Sequence, residues 1–265
     1  MIKVVLNIYS WIFARKIFSK LNLALFYLSL KGLGVFNYEN STVNGELFFL
    51  KKVLPKAIKN KQPVFIDVGA NIGNFSLSLA NRYEDATIYS FEPHPTNFET
   101  LRKRTSGSKI EPYCVALGEK AGESILYDRA DRDGSSLASL YEEVISEIHK
   151  EDTTSINISI DTLDNFVQRK NLQYIDFVKI DTEGNELSVL KGAKELIKNS
   201  KIGCIHFEFN EMNIISRVFM RDFRSILNNY DLFRLLPNGL LKLNDTPLIT
   251  ELFAYQNIVA LPKTK

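Results

Sequence analysis

Three groups of residues in this sequence could do chemistry, and each stands at the end of an apolar run. The first is Asp67-Val68-Gly69-Ala70-Asn71-Ile72-Gly73, which follows the run Val64–Val68 and leads into a segment with helical patterning. Glycines in such a turn let backbone approach a ligand and take conformations that a Cβ penalises. Strand ends of this kind face the crevice where open α/β sheets bind ligands. The second group is Glu92 in Phe91-Glu92-Pro93-His94-Pro95, where a carboxylate can accept hydrogen bonds from both hydroxyls of a ribose. The third is acidic: Asp181 ahead of Gly184, and His206 with Glu208 in the run Ile202–Phe209. His206 and Glu208 are two apart, so in a strand they share a face with each other and with Cys204. Such groups could orient an acceptor hydroxyl or take its proton, with His206 as general base and Glu208 orienting its ring. Plainer readings stand beside these. Asp181 and Glu183 could cap the helix expected over 186–198, and His206 with Glu208 could be a buried hydrogen-bonded pair.

The glycine spacing narrows the cofactor. A dinucleotide cradle requires Gly-x-Gly-x-x-Gly, but counting from Gly69 the second and third positions hold Asn71 and Asn74. S-adenosylmethionine has an adenosine and an amino-acid end and no diphosphate, so it makes no such demand. Asp161, Asp164, Asp181, Glu183 and Glu208 offer hard oxygen ligands without any dedicated metal spacing, and no metal is expected. Cys114 and Cys204 lie in apolar stretches and read as buried, inert thiols that suit a reducing cytoplasm. His94 is left open between adenine-side packing, a loop cap and a solvent residue. Ser135 and Ser136 could line an acceptor pocket or cap a helix from Leu137, and the charges at 128–133 read as a solvated loop.

The elements that must position these groups alternate between strand and helix. Strands are expected at 64–68, 87–91, 113–117, 174–180 and 202–209, and helices at 45–58, 74–80, 95–104 and 186–198. Short connections between them argue for a parallel sheet covered on both faces. Segments 123–128 and 155–160 could pair as an inserted hairpin. Strands at 232–236, 240–243 and 257–261, after a helix at 220–228, could supply an antiparallel edge. The chain has 265 residues, 45% hydrophobic and 24% charged, which suits one well-filled core with a short appendage. We divide it into an N-terminal helical appendage, 1–44, and a catalytic domain, 45–265, with an insertion over about 123–160.

Charge is unevenly spread. Residues 1–38 carry Lys3, Arg15, Lys16, Lys20 and Lys31 and no acid, which leaves the remainder with 28 basic and 31 acidic residues, a net of −3. A global basic field is therefore missing and nucleic acid is not an expected partner. Lys16 and Lys20 interrupt the apolar runs of the appendage, so neither reaches the roughly 20 residues that cross a bilayer. Two fates suit it: a cap packed on the catalytic domain or on a second copy of the chain, which we favour, or a basic amphipathic helix in peripheral contact with a membrane.

An ordered set of blocks carries a resemblance: FIDVGANIG at 65–73, FEPHP at 91–95, VALG at 115–118, IDTLD at 160–164 and VKIDTEGNELSVLKGA at 178–193. With Gly45-Glu46 upstream and Glu208 downstream, the chain resembles the FkbM family of S-adenosylmethionine-dependent methyltransferases. The resemblance implies a class I methyltransferase (Rossmann-like) fold: a seven-stranded, mostly parallel sheet with an antiparallel edge strand and helices on both faces. It implies O-methylation of a hydroxyl on a saccharide or other small molecule. The cofactor set would be Glu46, Asp67, Gly69, Asn71, Gly73, Glu92, Pro93, Val115 and Ala116, with Asp67, Gly69 and Gly73 at the methionine end, Glu92 on the ribose and Val115–Ala116 beside adenine. The segment before Gly45 and much of the C-terminal tail fall outside it, which leaves the acceptor open. The alternative to an enzyme is a cofactor-binding scaffold whose N-terminal region contacts protein or membrane.

Overall fold

The apolar runs pair into a central sheet in the computed structural model, which describes residues 2–263. In chain order the strands are β1 (Val64–Val68), β2 (Thr87–Phe91), β3 (Ile110–Tyr113), β4 (Ala116–Leu117), β5 (Gly122–Arg129), β6 (Thr153–Asp161), β7 (Ile175–Ile180), β8 (Ile202–Phe209), β9 (Tyr230–Leu236), β10 (Gly239–Lys242) and β11 (Gln256–Pro262). Eight of them form one sheet in the order β10-β9-β11-β8-β7-β1-β2-β3. From β8 to β3 all neighbours are parallel, whereas β11 is antiparallel to both β8 and β9, and β10 is antiparallel to β9. The class is the expected one, with eight strands rather than seven because the tight β9–β10 hairpin adds an edge strand. The antiparallel β11 sits inside the sheet.

Alternate side chains of the parallel strands feed two cores, as the period of two requires. Ile66, Val68, Val178, Ile180, Ile205 and Phe207 face helices 163–169, 186–198 and 220–226, where Phe207 stacks on Phe223 with ring centroids 4.5 Å apart. Phe65, Phe177, Cys204 and Val259 face the opposite layer, built from the helical run 46–57 and the helix Asn74–Arg82. A π-helical stretch, Phe49–Val53, interrupts that run just ahead of Pro55. Proline has no N–H to continue the i→i−4 ladder, which accounts for the widened turn before it.

Several expectations are corrected. The strand expected at 113–117 is divided: β3 pairs with β2, while β4 pairs with β6 in a separate three-stranded sheet. The helix expected over 186–198 breaks at Gly192, where the backbone passes so close to Gly118 that a Cβ would lie 2.0 Å from its carbonyl oxygen. The inserted hairpin forms as β5 and β6, antiparallel over eight residue pairs. Cys204 is buried but Cys114 is exposed, because the chain leaves the main sheet after Tyr113 and turns its thiol outward. The N-terminal helices Ile2–Phe13 and Ser19–Gly32 do not pack as a cap on the sheet; Leu30 is their buried apolar anchor.

The floor of the sheet is tied by Asp176 of β7, which is fully buried. Its carboxylate accepts hydrogen bonds from the backbone of Lys59, Asn60 and Val64 and from the Asn60 amide, at 2.9 to 3.2 Å. One acid thus fixes the loop that launches β1. Asp176→Ala leaves these donors without a partner and is expected to cost about 3 kcal/mol in denaturant unfolding. A loss below about 1 kcal/mol would mean that the loop is held by other contacts.

Candidate active site

The chain order reverses at β1: β2 and β3 add on one side, β7 and β8 on the other. At such a switch point the loops leaving neighbouring strands diverge and open a crevice. Here the two strand ends are locked together. The Asp181 amide donates to the Val68 carbonyl at 3.0 Å, and Gly69 (φ 79) lies so near that a Cβ on it would sit 1.7 Å from the Asp181 carbonyl oxygen. Gly73 (φ 85) starts the following helix, with a Cβ excluded at 2.6 Å by Leu101, and Asn71 takes the left-handed region as well (φ 49). The loop is therefore bent flat over the sheet edge and presents backbone to a cavity of about 340 Å³.

Glu92 forms the next wall. One carboxylate oxygen accepts the Asn71 amide at 2.8 Å and the other the His94 amide at 2.9 Å, which aims the group into the cavity. Burial raises its pKa to about 7, against the opposing effect of the two amides. Pro93, Val115, Ala116 and Leu117 give an apolar slot beside it. His94 is neither an adenine contact nor a solvent residue. Its Nδ1 accepts the Thr96 amide at 3.3 Å at the start of helix Pro95–Arg104, and its Nε2 lies 3.2 Å from Asp128.

Asp128 corrects the reading of 128–133 as a solvated loop. It is fully buried, and its carboxylate accepts the amides of Gly134 and Ser135 at 2.9 and 3.0 Å as well as the Ser135 hydroxyl. The insertion is drawn down over the cavity, which Leu126, Ser135, Ser136, Ala138 and Leu140 line. Ser139 completes the clamp by donating to the Glu183 carbonyl at 2.8 Å.

The acidic turn after β7 is held by Glu186, whose carboxylate accepts the amides of Thr182 and Gly184 and the Thr182 hydroxyl at 3.0 to 3.1 Å. With that task filled, Asp181 and Glu183 are left at the cavity, Glu183 in the left-handed region at φ 50. Lys179 donates to Asp181 at 2.6 Å and lies 5.0 Å from the Phe75 ring. Burial works against the charge on Lys179, but Asp181, Asp67 and Glu46 outweigh it and raise its pKa. Opposite, Glu208 accepts a hydrogen bond from Asn210, and burial with the nearby charges of Asp181 and Glu183 holds its pKa well above the usual carboxylate range.

Gly69, Asn71, Glu92, Pro93, Val115, Ala116, Asp181 and Glu208 thus meet in one cavity. Four expected site residues do not line it. Gly73 shapes the turn from behind. Asp67 is buried beneath the loop, in register with Ser90 on one side and Lys179 on the other; Ser76 donates to it at 2.5 Å, and its second oxygen has no partner among the described residues. Burial raises the Asp67 pKa, opposed by Lys179. His206 continues the same row beside Lys179, packed against the rings of Phe49 and Phe75, and burial lowers its pKa. Glu46 stands outside the lining but acts on Asp67, Lys179 and His206 through its charge. Tyr255, Met212 and Asn185 line the cavity without having been singled out. Asn185 falls inside the 178–193 block, whereas no local pattern marks the other two.

Asp161 and Asp164 are engaged elsewhere, with Arg169 and with the amides of Glu195 and Leu196. Among the described residues no three His, Cys, Asp or Glu side chains are grouped to hold a metal ion. The fit to S-adenosylmethionine rests on the loop that a Cβ at Gly69 would fill and on the Glu92 carboxylate beside an apolar slot.

Comparison with known proteins agrees. The family model described as Methyltransferase FkbM domain matches residues 67–231, more than half of the chain. Methyltransferase sdnD of Sordaria araneosa is 29% identical over 158 residues, covering 50% of this chain and 61% of its own length. Hexuronic acid methyltransferase AglP of Haloferax volcanii is 27% identical over 161 residues, covering 59% and 60% respectively. The 2-O-methyltransferase NoeI of Sinorhizobium fredii is 21% identical over 192 residues, covering 69% and 78%. The chain thus spans about three fifths of the length of the first two of these relatives. The crystal structure of methyltransferase FkbM from Methylobacillus flagellatus KT aligns at a TM-score of 0.47 and 16% identity, over 77% of this chain and 44% of that one. The chain belongs to the FkbM methyltransferase family.

Proposed function

We propose that the chain is an S-adenosylmethionine-dependent O-methyltransferase whose acceptor is a hydroxyl of a saccharide or a similar small molecule. The observation that carries this reading is the single cavity in which the Gly69–Asn71 backbone and Glu92 face the carboxylates of Asp181 and Glu208. Bound donor supplies an electrophilic methyl group on a sulfonium centre. Glu92 would accept the ribose hydroxyls of the donor, and Val115 and Ala116 would pack on its adenine. Asp181, paired with Lys179, orients the acceptor hydroxyl. Glu208 takes its proton as the oxygen–carbon bond forms and the sulfur–carbon bond breaks. Its raised pKa makes it a stronger base than an ordinary carboxylate. His206 and Asp67 act from the row beneath as positioning residues, not through contact with the substrates.

Two relatives bear names that describe a hexuronic acid methyltransferase and a 2-O-methyltransferase, which supports a saccharide acceptor. The charge of this cavity refines the class. Asp181, Glu183 and Glu208 line it with Lys179 as the adjoining cation, so an anionic sugar meets repulsion that a neutral or amino sugar does not. Tyr255, Ser135 and Ser136 add an aromatic ring and two hydroxyls suited to a polyol. Two cysteines without a disulfide suit a reducing compartment, and we place the reaction in the cytoplasm.

Two outcomes follow. Glu92 must be ionised to accept ribose hydroxyls, and its raised pKa of about 7 keeps it neutral below that pH. Donor Kd is expected to weaken about tenfold between roughly pH 8 and pH 6, as the ionised fraction falls from about 0.9 to about 0.1. Calorimetry on Glu92→Gln should give weaker binding that no longer varies with pH; a wild-type Kd flat across this range would contradict the assignment. Glu208→Gln is expected to lower single-turnover methyl transfer by about 10²–10⁴-fold with donor Kd unchanged. Measured on neutral, amino and uronic sugars, the wild type should prefer the first two. Near-wild-type transfer by Glu208→Gln would remove Glu208 as the base, and a preference for uronic sugars would overturn the charge argument.

A further inference from the structure

Exposed apolar surface is concentrated at one end of the chain. Fourteen of the twenty-one exposed large hydrophobic side chains among the described residues lie between Val4 and Leu28, with Trp11 74%, Ile17 84% and Leu28 67% exposed. Soluble surfaces seldom carry contiguous patches of this kind without a partner. The segment is built, not frayed. Helices Ile2–Phe13 and Ser19–Gly32 are tied at the turn between them, with Tyr9 donating to the Asn22 side chain at 2.6 Å and Asn22 to the Phe13 carbonyl at 3.0 Å. Phe13 stacks on Tyr9 and meets Phe18 edge-on at the turn. The polar groups inside the hairpin are satisfied, and the hydrocarbon faces outward.

We propose that this hairpin docks into the interfacial layer of an anionic lipid bilayer. Charge complementarity selects that occupant. Arg15, Lys16 and Lys20 are exposed around the turn, Lys3 is exposed near the start, and no acid occurs in residues 1–38. Clustered Lys and Arg beside an apolar face are drawn to anionic headgroups, and Trp and Tyr settle at headgroup depth, as Trp11, Tyr9 and Tyr27 would. A second copy of the chain fits less well. A two-fold contact pairs a patch with itself and would set like charges together. Twelve helical residues reach only about 18 Å, short of the roughly 30 Å hydrocarbon core. Among the described residues no helix is long and apolar enough to cross a membrane, so the hairpin lies in the surface.

The hairpin is also wired to the cavity. Leu30 and Val35 pack on Ala254, Arg234 donates to the Leu33 carbonyl, and the Phe36 amide donates at 2.8 Å to the carbonyl of Tyr255, a cavity wall residue. Docking would hold that wall near the bilayer. This docking is independent of the acceptor, and it rests on the reading above only in placing a methyltransferase cavity beside the membrane.

Trp11 is the sole tryptophan, so its emission reports this surface alone. Adding vesicles of phosphatidylcholine mixed with phosphatidylglycerol to the full chain should shift that emission to the blue and bring the protein down with the vesicles. Phosphatidylcholine alone should do neither, and high salt should release the protein. Arg15→Glu with Lys16→Glu and Lys20→Glu should weaken partition by about 100-fold or more, at roughly tenfold or less per charge. The proposal is overturned if neither vesicle shifts the emission, if the triple variant binds as well as the wild type, or if lipid-free protein shows a concentration-dependent blue shift with dimer formation. Donor titration in the same samples tests the methyltransferase reading separately, because no hairpin residue lines the cavity.

Discussion

Everything at the site depends on how closely the ends of β1 and β7 approach. Gly69 touches the Asp181 carbonyl at a distance that no side chain permits, and the Asp181 amide closes the contact on Val68. This one junction brings the loop we propose for the donor against the turn whose carboxylates we propose for the acceptor. Methyl transfer between two bound molecules needs such an arrangement, because its rate depends mainly on alignment of the reacting atoms. The insertion then closes the cavity from above, drawn down by the buried Asp128 and fastened by Ser139 to the same turn.

Beneath the cavity runs a polar row across the sheet, Ser90–Asp67–Lys179–His206, in a layer otherwise filled by apolar side chains such as Phe65, Phe177 and Leu79. Burying such groups is costly unless they pair. Lys179 pairs with Asp181 and acts on Asp67 through its charge, which keeps one positive charge under a cavity that is otherwise acidic. Burial, and then the neighbouring carboxylates, raise the pKa of Glu208, and the acidic lining suits a donor with a positive sulfonium. One lysine thus links the buried row to the acidic turn at the cavity.

Much of this was legible because burial leaves a local trace. The boundaries of β1, β2 and β8 follow directly from their apolar runs, and the acids at their ends stood out by contrast. The 178–193 block marked the turn, though not that Glu186 rather than Asp181 or Glu183 would hold it. Asp128 was misread since five charges in six residues look solvated; its burial depends on His94, 34 residues earlier, and on the fold of the insertion. Tyr255 and Met212 carry no signal of their own, because they reach the cavity only through the placement of β11 and of the turn after β8. The break at Gly192 was signalled by the glycine itself, but its cause is a contact with Gly118 across the fold.

The central claim is that the Gly69 junction forms a site for S-adenosylmethionine. Calorimetric titration of the wild type and of Gly69→Ala with S-adenosylmethionine, its demethylated product and NAD tests it most directly. The account predicts that the wild type binds both methyl-donor forms and ignores NAD, and that Gly69→Ala loses donor binding. Binding of NAD with neither donor form bound, or undiminished donor affinity in Gly69→Ala, would contradict it.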